Sequence, residues 1–558
     1  MRKITMAKLN TEFMNDDVGF FSKVEDDLEN SIENYIDNYD GKEMPWNDMG
    51  REAFEQLFVS RGFLFAWYPF KKDSEILEIG GGVGSITGFL CSTASKVVTV
   101  EKKLKRAKII EKRYKDLKNL MVIHDNYMNL SYSKKFDYIV IHDIFGYVKK
   151  YVKTEKPYET FLRHMKNMLK EDGIILLATE NRLGIKYFSG AIEDYSNKYF
   201  VGLNNFDGYD VIFTPSKKEL ETLLMQCGMT NYKFYYPFPD NIFPTEIFTD
   251  DSLRYLQYGG KSEEIGWDRF ELFNEKEMFE TLQREGIVQE FVNSFLIEIG
   301  KEENLAQTTY CRLIDSKSDG SFDYISISGQ EYVGLNKVNH RLEEGSVSLQ
   351  KKLNDLMYHV KQINISKKEC SQQIADSFRN VKYLLEKEGE QISDIYTDEF
   401  VNLFGNGKIK RIGMCNSFSE ISTKNIFCSK GNYTVFLEEN SCKVPVDYLI
   451  WLIIYEWYIN NVWERKSRMN IINLKQLYEA CNLDFDDIQV FQKWRSNYEE
   501  HLNKKWLKKH YVNWYKQDFI YPVDAIVHGD LIMRDFMEEK TREDNQLLVE
   551  KDILDEVR

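Results

Sequence analysis

One short stretch constrains this chain more than any other. Glu78-Ile79-Gly80-Gly81-Gly82-Val83-Gly84 closes the apolar run that begins at Ile76, and a helix start, Ser85 to Leu90, comes at once. Glycines at such a point let the backbone turn sharply and let a ligand approach the main chain. A buried strand, a glycine turn and a helix form the opening unit of a doubly wound α/β sheet. The surrounding pattern agrees. Val97–Val100, Met121–Ile123, Tyr138–Ile141 and Ile174–Ala178 are further buried-strand runs, with helical stretches between most of them. Short apolar runs alternating with helices imply a parallel sheet covered on both faces.

The second run ends at Glu101, about 20 residues beyond the glycines, where a carboxylate can accept hydrogen bonds from both hydroxyls of a ribose. The loop itself narrows the nucleotide. Read from Gly80, the third glycine of a dinucleotide fingerprint falls on Ser85; read from Gly82, it falls on Thr87. Both registers fail that pattern. A phosphate loop requires Gly-Lys-Ser/Thr, which this stretch lacks.

The arrangement Glu-x-Gly-x-Gly-x-Gly resembles the first motif of class I S-adenosylmethionine-dependent methyltransferases. The resemblance continues in order over about 180 residues. Glu101 matches the ribose-binding acid, and Asp125 or Asn126 the adenine-binding position. Phe136–Val140 matches the strand before the substrate-side loop, and Leu169–Ile175 the turn into the fifth strand. It implies S-adenosylmethionine as cofactor, with Glu78, Gly80, Gly82, Gly84, Glu101, Asp125 and Asn126 around it and no metal. A hydroxyl acceptor needs a nearby base. His142, Asp143, Glu180 and Asn181 stand at the carboxyl ends of strands four and five, and His142 and Asp143 are the first choices. The competing reading of His142 is a satisfied supporting histidine. Glu180-Asn181-Arg182 reads equally as a loop-ordering cluster.

Two longer segments, Glu180–Tyr187 and Phe234–Asp240 followed by Pro244, resemble a bacterial methyltransferase group associated with surface-polysaccharide biosynthesis. That resemblance implies a sugar hydroxyl or glycan end as acceptor and other polysaccharide-assembly proteins as partners. The aromatic run Tyr232–Phe243 then has two readings, a platform for a sugar ring or an aromatic edge packing the sheet. Ser85–Gly88 and Val97–Glu101 also resemble ribosomal RNA adenine dimethyltransferases. Those enzymes need an Asn-Leu-Pro-Tyr-type motif where this chain has Ile141-His142-Asp143-Ile144-Phe145-Gly146. The 74 basic against 89 acidic residues, a net charge of −15, further disfavour a phosphate backbone as partner. RNA methylation stays a minor alternative, as does a non-catalytic scaffold that binds the cofactor and recruits partners.

At 558 residues the chain has room for more than one core. The expected layout is a helical lead-in over 1–60, a methyltransferase domain over 61–259, an α+β domain over 260–520 and a charged tail over 521–558. Tyr232–Pro237 is expected as an antiparallel edge strand, and Phe295–Ile299, Thr309–Leu313 and Tyr324–Ile327 as strands of the second domain. The polysaccharide-group resemblance implies a degenerate, inactive kinase-like fold there. Glu420 to Asn425 and then Glu438 fit kinase spacing, with glutamates where both aspartates belong. Lys337 is the candidate strand lysine. Val527–Leu531 imitates a phosphotransferase catalytic loop. Arg558 follows too soon for the rest of such a lobe, and Asp535 stands at its Asn position.

The eight cysteines include no Cys-x-x-Cys pair, which argues against a zinc ribbon. Scattered thiols without a signal-type N-terminus indicate reduced cysteines and a cytoplasmic location. The most apolar candidate span, Val444–Trp463, contains Asp447 and Glu456 and reads as a buried helix.

Overall fold

The computed structural model describes residues 8–10, 23–39, 53, 56–57, 62–130, 135–193, 195–196, 198–209, 212–257, 272–315, 322–333, 339–361, 365–417, 421–436, 442–463 and 470–503. In their described parts, Met1–Asp250 with Gly260–Phe322 form one compact unit. Asp251–Gly259 with Asp323–Asp518 form a second.

The first unit is built on a sheet. Its strands are β1 (Lys8–Asn10), β2 (Glu75–Ile79), β3 (Lys96–Glu101), β4 (Leu120–His124), β5 (Phe136–Ile141), β6 (Leu169–Glu180), β7 (Tyr232–Phe238), β8 (Glu246–Phe248), β9 (Ser294–Ile299) and β10 (Thr308–Asp315). They lie in the order β1-β4-β3-β2-β5-β6-β9-β7-β8-β10. From β1 to β6 every pairing is parallel. Ile76, Leu77, Ile79, Val97, Val98, Ile139, Val140 and Leu176 are buried, as strands covered on both faces require. The order reverses between β2 and β5. At such a switch point the connections leave to opposite faces and open a crevice at the carboxyl ends of the strands.

The far side of the sheet departs from the sequence reading. Tyr232–Pro237 was expected as an antiparallel edge. Instead β7 is internal, and β9 is the antiparallel strand, paired with β6 on one side and β7 on the other. Two antiparallel steps make β7 run the same way as β6. Since β9 lies beyond residue 260, the first unit extends past the boundary expected there. β10 joins it too, paired with β8. The aromatic run settles into packing: Phe234, Tyr235, Tyr236, Phe238 and Phe243 are all buried. Burial of Glu298 explains part of this. Its carboxylate, fully enclosed in β9, accepts Tyr68 OH at 2.6 Å and Tyr235 OH at 2.9 Å.

The lead-in is not separate either. Its helix Lys23–Tyr39 buries Ile32. Its Glu29 is fully buried and pairs with Lys103 at 2.8 Å and Arg106 at 2.7 Å. An enclosed carboxylate needs such partners. A helix runs Lys217–Gln226, opened by a reciprocal Ser216/Glu219 capping box and followed by Gly228 at φ +65°.

The second unit contains a hairpin, Ile426–Ser429 against Asn432–Val435. Its two turn residues, Lys430 and Gly431, both have positive φ, the backbone twist that two-residue hairpins favour. The helix Val446–Tyr458 is buried on nearly all sides. Among the described residues no helix is long and apolar enough to cross a membrane. Asn425, a candidate in the kinase spacing, closes a turn: Ser422 N and Oγ donate to its Oδ1, and its Nδ2 donates to Tyr332 OH. Glu420, Glu438, Lys337, the Val527–Leu531 loop, Asp535 and the tail over 521–558 lie outside the described residues.

Candidate functional site

The crevice at the switch point is where the glycine loop lies. Gly80, Gly82 and Gly84 have φ of +74°, +56° and +88°. Alternate left-handed positions explain the alternate glycines, since side chains there are strained. Gly81 has a different reason: a Cβ on it would collide with Thr99 Cγ2 of β3. The loop is thus pressed onto the neighbouring strand, and the N–H groups of Gly80 and Gly81 both turn to Val100 O.

Four sequence candidates surround this loop, and the structure gives them different work. Glu101 ends β3 with its carboxylate buried. Its Oε2 accepts Gly82 N at 2.9 Å and its Oε1 accepts Lys103 N at 2.8 Å. Each oxygen keeps acceptor capacity for a further donor. Burial raises the Glu101 carboxyl above the ordinary range, while Arg106 and the two N–H groups oppose that rise. Asp125 follows β4. Its Oδ1 accepts Asn126 N at 2.6 Å and Asn129 Nδ2 at 3.0 Å, and its buried Oδ2 accepts no hydrogen bond among the described residues. An enclosed acceptor of this kind suits an amino group such as that of adenine. Asn126 is spent on the backbone, its Oδ1 capping Met128 N. Of the two alternatives left open by the sequence, Asp125 alone has this orphaned oxygen.

Glu78 supports the loop from beneath. It is buried, and its Oε2 accepts Thr87 Oγ1 at 2.8 Å and Thr99 Oγ1 at 2.5 Å, tying β2 to β3 and to the following helix. Burial pushes its carboxyl from 4.5 to about 7, against the two threonine hydrogen bonds. Between those values the folded chain holds a proton that the unfolded chain has lost. Stability conferred by the protonated Glu78 is therefore complete below 4.5 and is lost as pH rises to about 7. Glu78→Gln removes this titration. Its stability relative to wild type should rise across that window by on the order of 3 kcal/mol. Thermal melts of both proteins from pH 4.5 to 8 check this; parallel curves would rule it out.

The other wall comes from the ends of β5, β6 and β7. His142 is buried beside Phe65, and its Nδ1 lies 3.4 Å from Asp143 Oδ2. Asp143 is partly exposed and holds φ of +58°, a conformation that costs free energy for a side-chain-bearing residue. The next residue, Ile144, packs where a Cβ on Gly80 would be, at 2.7 Å, which sets Asp143 beside the glycine loop. Asn241, in the loop after β7, donates from Nδ2 to Asp143 Oδ1 at 3.5 Å. Lys186, almost wholly buried, stands 3.6 Å from both Glu180 Oε2 and Asp240 Oδ2. Tyr187 OH donates to Glu180 at 3.3 Å. Glu180 is thus committed to a buried charge cluster. Asn181 orders the loop: its Nδ2 donates to Glu290 O and Val292 O, and its Oδ1 accepts Leu183 N. Lys186, Asp240 and Asn241 were not singled out individually from the sequence, although the segments that hold them were.

Residues 49–233 match a family model described as a methyltransferase domain. No curated protein matches the chain. Among solved structures, phosphoethanolamine N-methyltransferase 1 from Haemonchus contortus, crystallised with phosphoethanolamine and S-adenosylhomocysteine, aligns at 12% identity. The alignment covers 49% of this chain and 48% of that one, with a TM-score of 0.29. N-methyltransferase NodS from Bradyrhizobium japonicum WM9, bound to S-adenosylhomocysteine, aligns at 12% identity over 49% of this chain and 98% of its own, with a TM-score of 0.26. The region is a methyltransferase domain, and its cofactor is S-adenosylmethionine.

Proposed function

We propose that the first unit transfers a methyl group to a hydroxyl of a glycan or a related small polar acceptor. The observation that carries this reading is Asp143, a carboxylate held in the left-handed region at the end of β5 beside the glycine loop. When bound, S-adenosylmethionine supplies a methyl already activated on a sulfonium. Glu101 would take the ribose hydroxyls, and Asp125 Oδ2 the adenine amino group. The glycine backbone lets the cofactor lie close. Glu78 and Asn126 act through the shape of the loop and turn. Asp143 takes the acceptor's hydroxyl proton, which makes the oxygen a competent nucleophile. His142 stands behind it as the group that orients its carboxylate.

The glycan reading is supported by the resemblance of Glu180–Tyr187 and Phe234–Asp240 to the polysaccharide-associated group. These segments supply Glu180, Lys186 and Asp240, a charged cluster adjoining Asn241, which contacts Asp143. On the same resemblance the second unit is a kinase-like remnant without activity, serving as a platform for polysaccharide-assembly partners. A hairpin followed by an apolar helix supports that reading. Eight free, buried cysteines support a reducing, cytoplasmic setting.

The test is transfer of labelled methyl from S-adenosylmethionine into fractionated cell-envelope extracts. Label is expected in the glycan fraction. Label confined to RNA, or no transfer from a protein that binds the cofactor, would overturn the assignment; the second outcome would favour a scaffold.

A further inference from the structure

Asn241 offers something the reading so far does not use. Its side chain is 1% exposed, and its Nδ2 faces Asp143 Oδ1. A carboxylate has only acceptors to offer, so this contact fixes the amide, nitrogen toward Asp143 and oxygen away from it. That oxygen, Oδ1, is buried and accepts no hydrogen bond among the described residues. A buried acceptor left unmade is destabilising, and structures keep few of them without a use.

The surrounding loop is fastened without it. Asp240 Oδ1 accepts Ile242 N at 2.9 Å and Phe243 N at 3.4 Å. Asn293 Nδ2 donates to Pro239 O at 3.0 Å, and Asn293 Oδ1 accepts Lys186 N at 3.0 Å. The loop is thereby pinned to the β6 and β9 ends of the sheet. Asn241 is set in a rigid frame with its Nδ2 on the proposed base, as a recognition group must be.

We propose that Asn241 Oδ1 is a specificity group for the methyl acceptor, accepting a hydrogen bond from an O–H or N–H next to the hydroxyl that Asp143 deprotonates. This rests on the proposed function. It sharpens the substrate class to acceptors with two neighbouring donors, such as a vicinal diol of a sugar. One donor faces Asp143 and its neighbour faces Asn241. A site built to hydrogen-bond a hydroxyl rejects the analogue that lacks it, because its buried group is then left unpaired.

The experiment uses the full chain and a panel of methyl glycosides, each paired with the monodeoxy analogues that lack a hydroxyl beside the methylated oxygen. For wild type, kcat/KM should fall at least ~10-fold from a glycoside to one such analogue. Asn241→Ala should lose that preference, methylating the pair at rates within about 2-fold. Asn241→Asp keeps an acceptor oxygen and a near-identical shape, so it should keep the preference even if its overall rate falls. It also covers the case in which Asn241→Ala fails to fold. A preference unchanged in Asn241→Ala, or lost in a folded Asn241→Asp, would overturn the assignment and leave the proposed function standing. Methylation of no glycoside by wild type would overturn both.

Discussion

Asp143→Asn should lower kcat for methyl transfer by roughly 10²–10⁴-fold, the range that a positioned general base supplies. Affinity for S-adenosylmethionine should stay within about 2-fold of wild type. The substitution is chosen for the backbone. Asp143 sits at φ +58°, and asparagine tolerates the left-handed region as well as aspartate does. Side-chain shape and contact with Asn241 are retained, while the proton acceptor is gone. A loss of rate cannot then be assigned to a distorted turn. Single-turnover transfer into the acceptor fraction, beside calorimetric titration of cofactor, separates the two quantities. A change in kcat below about 3-fold would remove Asp143 from the mechanism and bring His142 forward as the base.

Glu101→Ala should weaken binding of S-adenosylmethionine at least ~10-fold, since each charge-assisted hydrogen bond to a ribose hydroxyl contributes roughly 1.5–3 kcal/mol. A second effect adds to it. The same carboxylate holds Gly82 N and Lys103 N, so the alanine also frees two backbone donors that shape the loop. Glu101→Gln divides these effects. It keeps one acceptor oxygen and removes the charge, and its affinity should fall between those of wild type and alanine. Equal affinity in all three proteins would place the ribose elsewhere.

Much of the cofactor half was legible because it is local. The glycine spacing reports three left-handed residues in one turn, and the apolar runs report strands covered on both faces. Glu101, and the pair Asp125 and Asn126, were picked out because those strands end there. The far side of the sheet was not legible, because its order rests on pairing between distant segments. Phe295–Ile299 reads correctly as a strand, but nothing local says that it inserts between β6 and β7. The boundary expected near residue 260 fails for that reason. The acceptor wall has the same character: Asn241 and Asp143 are 98 residues apart in sequence and meet only through the strand order. Glu78 shows a third limit. The motif marks it as part of the site, but only its burial and its two threonine partners show that it serves the loop.

The central claim is that the crevice between β2 and β5 holds S-adenosylmethionine. Calorimetric titration of the cofactor into the full wild-type chain tests it most directly. The expected result is saturable binding at one site per chain, weakened at least ~10-fold by Glu101→Ala. A wild-type protein that gives no binding heat with millimolar S-adenosylmethionine, and no thermal stabilisation by it, would contradict the account.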